Sequence, residues 1–154
     1  MHQPRILQSK IDNVIFGKNV TIVEPVNLYG CTIGDNCCIG PFVEIQKNVT
    51  IGNNCKIQSH SFICELVTIG DDCFIGHGVM FINDTFSKDK PANGNQSKWK
   101  KTTIGNHVSI GSNATILPVQ ICERVVIGAG AVVTKNIHEA GTYIGNPAKL
   151  KIKK

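Results

Sequence analysis

The sequence predicts an all-β chain wound into a parallel β-helix, and three regularities predict it. An apolar residue returns at every sixth position, through Ile33, Ile39, Ile45, Ile51, Ile57, Ile63, Ile69, Ile75 and Phe81, with glycine behind it at 34, 40, 52, 70 and 76. The fourth residue after each anchor is small or β-branched: Cys37, Val43, Val49, Cys55, Ser61, Val67, Cys73 and Val79. A longer repeat of 18 residues relates Cys31-Thr-Ile-Gly-Asp-Asn-Cys37 to Val49-Thr-Ile-Gly-Asn-Asn-Cys55 and Val67-Thr-Ile-Gly-Asp-Asp-Cys73. A helix would space apolar residues three and four apart, and a plain strand would alternate by two without interruption. A period of six fits short strands joined by tight corners, three to a triangular coil. Each coil can bury its inner face only against the coils above and below it.

The remaining segments fit around this prism in chain order. Val20-Thr-Ile22 restates the motif eleven residues before Cys31, so the first full coil is about one residue short. Thr102-Thr-Ile104-Gly restarts the pattern, which continues through Ile110, Ile116, Ile121, Ile127 and Val133. The step from Ile116 to Ile121 loses one residue at a corner that holds Pro118. Between them, Asp84 to Lys101 has no period and is rich in Lys, Asn, Gly, Ser and Pro; it reads as a long loop excluded from the coil, a kind of segment that is usually functional.

The 154 residues are long enough for one continuous core and are read as a single domain, 1–154; 42% apolar and 6% aromatic content suits a narrow interior of Ile, Val and Cys. No apolar run is long enough to span a membrane, and Met-His-Gln-Pro-Arg at the start lacks a signal-peptide core, so a soluble cytoplasmic protein is expected. Of seven cysteines, Cys37, Cys55 and Cys73 form one inward column, where free thiols act as small apolar fillers; no C-x-x-C pair points to a metal, and a reducing compartment follows. The net charge of +5 is carried in part by Lys98, Lys100 and Lys101 around Trp99, and by Lys149, Lys151, Lys153 and Lys154. Flat regular corners offer no groove-reading element for nucleic acid, and a small phosphorylated ligand fits such patches better.

The hexapeptides, the excluded loop and the ending Ile144-Gly-Asn-Pro-Ala-Lys149 resemble the left-handed β-helix acyltransferases that use acetyl-coenzyme A. Within them, Val26-Asn-Leu-Tyr-Gly-Cys31, Val43-Glu-Ile-Gln46, Gln58-Ser-His-Ser-Phe-Ile-Cys-Glu65 and Gly76-His-Gly-Val-Met-Phe-Ile-Asn-Asp84 are similar to bacterial N-acetyltransferases of UDP- or dTDP-linked amino sugars, 3-amino sugars among them. The resemblance implies a left-handed coil, a homotrimer, acetyl-coenzyme A as cosubstrate without a metal, a role in surface polysaccharide such as lipopolysaccharide biosynthesis, and direct attack of the sugar amine on the thioester.

Residues 18 apart stack on one edge, so Tyr29, Lys47, Glu65 and Asn83 are expected in one outward column with Asp84 at its upper end. Turn chemistry alone would also place Asn, Asp or Lys there. The resemblance implies that Glu65, Asn83 and Asp84 face the sugar, with Tyr29, Lys47 and His77 as further substrate contacts. Asn83 and Asp84 would orient the amine, and His60 would serve as a base, because neutral imidazole accepts a proton near pH 7. Backbone amides of Gly76 to Gly78 are candidate oxyanion donors. Gly111, Ser112, Ala114 and Ala129 would leave backbone open to coenzyme A, with Lys135 and Lys149 for its phosphates, although small residues are equally what tight corners require. Trp99 either packs on a neighbouring subunit or anchors the loop on its own. Two other classes stand as alternatives: a γ-class carbonic anhydrase-like metal protein, which would need closely spaced histidines among His2, His60, His77, His107 and His138, and a noncatalytic β-helix scaffold.

Overall fold

The computed structural model describes residues 3–86 and 90–152. Among these, the strands form three sheets of seven, six and eight strands, here called the A, B and C faces. The middle coils run Glu44–Ile45 on A, Thr50–Ile51 on B, Lys56–Ile57 on C, then Phe62–Ile63 on A again. Paired residues are parallel and 18 apart in this region, as in Ile45 with Ile63 and Ile57 with Ile75. This is the expected all-β left-handed parallel β-helix. The anchors Ile33 to Phe81 and Ile104 to Val133 are at most 2% exposed and fill the prism axis. Each buried isoleucine contributes roughly 1.5–3 kcal/mol of apolar transfer.

The corners explain the residues between the anchors. At the BC corner the second residue adopts a left-handed backbone, with φ of 57° at Asn36, Asn54 and Asp72, a conformation asparagine tolerates better than most residues. Their side chains form a ladder, Asn36 Nδ2 donating to Asn54 Oδ1 at 3.2 Å and Asn54 Nδ2 to Asp72 Oδ1 at 3.0 Å. The preceding residue caps the coil below: Asn53 Oδ1 accepts from the Asp35 amide at 2.8 Å, and Asp71 Oδ1 from the Asn53 amide at 2.6 Å. Asp-Asn, Asn-Asn and Asp-Asp at this corner therefore record hydrogen bonding between coils.

The cysteine column lies inside, as expected, with Cys37, Cys55 and Cys73 at most 1% exposed and all seven cysteines free. They do more than fill space. Cys37 Sγ donates to Gly52 O at 3.1 Å, Cys55 Sγ to Gly70 O at 3.1 Å and Cys73 Sγ to Gly105 O at 3.2 Å. Ser61 makes the same bond to Gly76 O at 2.8 Å at the CA corner. The Cys37 thiol pulls Cys55 down, but the Cys73 thiol and burial outweigh it and hold Cys55 up at about 11, so it is a neutral donor.

Two departures from a uniform repeat matter for the site. Leu28 pairs with Ile45, an offset of 17, so the lower coil is one residue short, and above the loop Ile110 pairs with Ile127 at the same offset. The loop itself leaves after Met80–Phe81 and returns at Thr102–Ile104, with Lys100 N donating to Asn83 O at 2.9 Å across its base. Val67 pairs with Thr102, so the excursion adds 35 − 18 = 17 residues without disturbing the coil. At the top, Gly141–Ile144 and Lys149–Leu150 form an antiparallel pair that closes the C face, which no hexapeptide pattern announces.

Replacing Cys55 with serine should preserve the bond to Gly70, as Ser61 shows, while alanine leaves that buried carbonyl unpaired. Cys55→Ala is therefore expected to lose about 1–3 kcal/mol more than Cys55→Ser in denaturant unfolding. Equal loss in both variants would remove the thiol ladder from the account of stability.

Candidate active site

The AB corner carries a hydrogen-bonded cluster that continues into the loop. Glu65, 7% exposed, is its centre. Lys47 Nζ lies 3.7 Å from Glu65 Oε1, and Gln96 Nε2 from the loop donates to Oε2 at 3.4 Å. Gln46 Oε1 accepts from the Glu65 amide at 3.3 Å, and Asn83 Nδ2 donates to the Glu65 carbonyl at 3.2 Å. That last bond engages the Asn83 amide nitrogen, and among the described residues no hydrogen bond engages its Oδ1. A groove of about 410 Å³ runs along this cluster, lined by Gln46, Glu65, Asn83, Asp84, Phe86 and Trp99 among others.

Lys47, Glu65 and Asn83 thus stack as expected, but Tyr29 does not stand beneath Lys47. The 17-residue coil moves the register by one, and Gly30 occupies that place: a Cβ built on Gly30 would lie 2.8 Å from Lys47 Cβ. Tyr29 sits one position earlier, toward the A face. Burial and the carboxylates of Glu44 and Glu65 push its hydroxyl above its ordinary value, while a hydrogen bond with the Gln46 side chain opposes them.

Asp84 is primarily a loop organiser. Its Oδ2 accepts from the Ala92 amide at 2.7 Å and its Oδ1 from the Phe86 amide at 2.9 Å. These two bonds, foremost that from Ala92, hold its carboxyl below the usual range and keep it anionic. Trp99 is half-buried on its own subunit, lining both this groove and a second one formed with Lys100, Lys101, Pro118 and Gln120.

The other expected residues lie on a different edge. His60 and His77 are exposed at the CA corner, across the A face from Asn83. The His60 ring stacks on Phe42 with centroids 4.8 Å apart. His77 Nδ1 is 2.8 Å from Ser59 Oγ, which fixes the ring and leaves Nε2 toward solvent. Gly76 permits the close approach of the next coil, since a Cβ there would meet Ser112 N at 2.7 Å. Gly111, Ser112 and Ala129 stack above His77 at this corner, and the turn 145–148 covers it through Ala148 N donating to Val132 O at 2.8 Å, delivering Lys149 close by.

Two coenzyme candidates do not join them. Ala114 is fully buried, because the fourth residue after Ile110 points inward by the same rule that buries Cys55. Lys135 is exposed at the AB corner, on the far side of the A face. Among the described residues no three His, Cys, Asp or Glu side chains gather as a metal would require. His107 is held apart at the BC corner, 3.7 Å from Asp72, and His2, like Lys153 and Lys154, lies outside the described residues.

Fold and corners together define a hexapeptide-repeat β-helix with a polar, loop-walled groove. The family model "Bacterial transferase hexapeptide (six repeats)" matches residues 30–65, and "Hexapeptide repeat of succinyl-transferase" matches 66–80 and 101–135, stepping over the loop. The chain belongs to the hexapeptide-repeat transferase family. It is 32% identical over 142 residues to the bifunctional protein GlmU of Prochlorococcus marinus, covering 90% of this chain and 28% of that protein. GlmU of Streptococcus uberis is also 32% identical, with 91% and 31% covered, so the chain spans about three tenths of the length of these curated relatives. Among solved structures it is similar to a variant of AntD, an N-acyltransferase from Bacillus cereus in complex with dTDP and coenzyme A, at 28% identity and TM-score 0.77 over 92% of this chain and 84% of that one. A hexapeptide transferase family protein from Anaplasma phagocytophilum shares the fold at 18% identity and TM-score 0.72, with 90% and 78% covered.

Because the Asp84 carboxyl is depressed in the folded chain, its hold on the loop is present above its unfolded value of 3.8 and is lost as pH falls below that. The fluorescence of Trp99, the chain's one tryptophan, should report loop release below pH 4, ahead of the loss of β-sheet circular dichroism. Asp84→Asn should show the released signal already at neutral pH; an unchanged spectrum would relieve Asp84 of this role.

Proposed function

We propose that the protein is an acetyl-coenzyme A-dependent N-acetyltransferase that acts on the amino group of a UDP- or dTDP-linked amino sugar, with a 3-amino sugar for surface polysaccharide as the favoured substrate. The observation that carries this reading is the loop-walled groove holding Glu65, Asn83 and Asp84. It is supported by the likeness to AntD, whose structure holds dTDP and coenzyme A. A noncatalytic scaffold would not need a nearly buried carboxylate held by Lys47 and Gln96 at the edge of such a groove.

In this reading Asn83 Oδ1 accepts a hydrogen bond from the sugar amine, and the Asp84 anion on the groove wall draws the amine toward it. Lys47 meets a pyrophosphate or sugar carboxylate, and Tyr29 borders the site through Gln46. The coenzyme lies along the other edge of the A face, over Gly111, Ser112 and Ala129, with Lys149 for phosphate. The amine nitrogen attacks the thioester carbonyl, and the His77 amide receives the tetrahedral oxyanion, since the amides of Gly76 and Gly78 already donate to Ile110 O at 2.8 Å and Ser59 O at 3.0 Å. The carbon–sulfur bond then breaks, and the proton lost by nitrogen passes to the departing thiolate. His77 suits that transfer better than His60, because its Nδ1 is anchored on Ser59 and it adjoins the coenzyme edge.

A strand and corner of about four residues at roughly 3.3 Å each separate the two edges of one chain by roughly 13 Å. Asn83 and His77 of a single chain therefore do not reach one acyl carbon, and the site is completed between subunits of a homotrimer, the AB edge of one against the CA edge of the next. Coenzyme A thiol release measured against a panel of UDP- and dTDP-amino sugars tests the reaction. Asn83→Ala and His77→Ala should each lower kcat/KM at least about tenfold, roughly 1.4 kcal/mol of barrier. Trimers reassembled from an equal mixture of the two inactive chains should recover about a quarter of wild-type activity, the fraction of interfaces in which both intact edges meet. No thiol release with any sugar of the panel would sink the transferase, and no recovery on mixing would sink the shared site.

A further inference from the structure

Phe42 and His60 occupy successive coils at the CA corner in the left-handed region, with φ of 60° and 63°. Elsewhere in that column the chain uses Gly78, Asn113 and Gly130, the residue types such a backbone favours. An aromatic ring is therefore not what the corner demands. Burial does not explain it either, since Phe42 is 57% exposed. The two rings stack on each other, interplanar angle 27°, and form a shelf facing solvent. Strain kept at exposed side chains that the core does not use points to a ligand.

The shelf borders a pocket of about 240 Å³ lined by Ser9, Pro25, Asn27, Phe42 and Glu44. That is below the roughly 300 Å³ at which sites begin to enclose a drug-sized molecule, so it takes one ring system and not a whole nucleotide. Its polar side chains are the Glu44 carboxylate, the Asn27 carboxamide and the Ser9 hydroxyl. Glu44 Oε1 accepts from Gln46 Nε2 at 3.0 Å, which leaves Oε2 to accept from a ring N–H. Asn27 Oδ1 accepts from the Lys10 amide at 3.4 Å, which leaves its NH2 to donate to a ring carbonyl. A flat ring presenting an N–H beside a carbonyl is found in uracil, thymine and guanine, and a pocket of this size favours the single ring of a pyrimidine over the guanine bicycle.

We infer that the Phe42–His60 shelf binds the pyrimidine base of the nucleotide sugar, with the base lying on Phe42 and its imide edge read by Glu44 and Asn27. The inference rests on the nucleotide-sugar reading above and assigns the base to the lower coils of the CA edge, beneath the stretch that reading gives to the coenzyme. It also gives His60 a positioning job as the support under Phe42. From the shelf to the Glu65–Asn83 groove is four residues of strand and one or two coils, roughly 15 Å, a span that a pyrophosphate and sugar bridge with Lys47 along the way.

The test titrates UDP, dTDP and GDP into the purified full chain with coenzyme A present, by calorimetry, for wild type, Phe42→Asn, Phe42→Trp and Glu44→Gln. Asparagine already makes left-handed corners at 36 and 54, so Phe42→Asn keeps the backbone and removes only the ring. UDP or dTDP is expected to bind at least about tenfold tighter than GDP; Phe42→Asn and Glu44→Gln should each lose about tenfold, and Phe42→Trp should retain binding. Unchanged affinity in Phe42→Asn, a preference for GDP, or no nucleotide binding at all would overturn the shelf. Thiol release separates the two readings. A chain that transfers acetyl but whose KM ignores Phe42→Asn keeps the transferase and loses the shelf, and a chain that binds UDP or dTDP through Phe42 but releases no thiol does the reverse.

Discussion

Everything in this molecule depends on the hydrogen bonds and inward isoleucines that lock each coil over the next. A strand here is two to four residues long and would have no stability alone. It persists because its amides and carbonyls pair above and below and because its one large inward side chain joins an axial stack from Ile33 to Val133. The cost of this arrangement is that every corner must approach its neighbour closely, and corner chemistry meets that demand with glycine at 76, with asparagine ladders at the BC edge, and with thiols bonded to corner carbonyls. Outward positions carry no such duty. Function is therefore read most directly from outward residues that the coil does not need.

The period of six made the fold, the core and the loop legible in the sequence, since Ile33 to Phe81 admits no other regular structure. It also placed Lys47, Glu65 and Asn83 on one edge, because those coils are 18 residues long. Where a coil is shorter the same arithmetic slips, and Tyr29 moved by one position for that reason alone. Ala114 was open to correction from the sequence, as its distance from Ile110 already marks it as inward. What the repeat could not convey is how side chains are engaged. The commitment of Asp84 to the Ala92 and Phe86 amides, and of His77 to Ser59, needs coordinates because the partners lie eight, two and 18 residues away with no motif to announce them.

In the proposed reaction the two polar edges of the A face divide the chemistry. One gathers a carboxylate, an amide and an anion around a groove; the other gathers glycines, small residues and an anchored imidazole. Sequence columns do not show how far apart such edges lie across one face, and the proposed shared site rests on that separation. The geometry sorts the expected residues into two groups, one on each edge of the A face.

The hydrogen bond from Lys100 to Asn83 at the root of the loop has a bearing on how such proteins diversify. The chain departs and rejoins at adjacent points of one ladder, so the intervening 17 residues are, to the prism, an appendage of zero net displacement. Their length and composition are free to drift while the architecture beneath stays in register. On the proposed reading, a chain built this way can acquire new acceptors by exchanging a cassette while the coenzyme edge stays untouched.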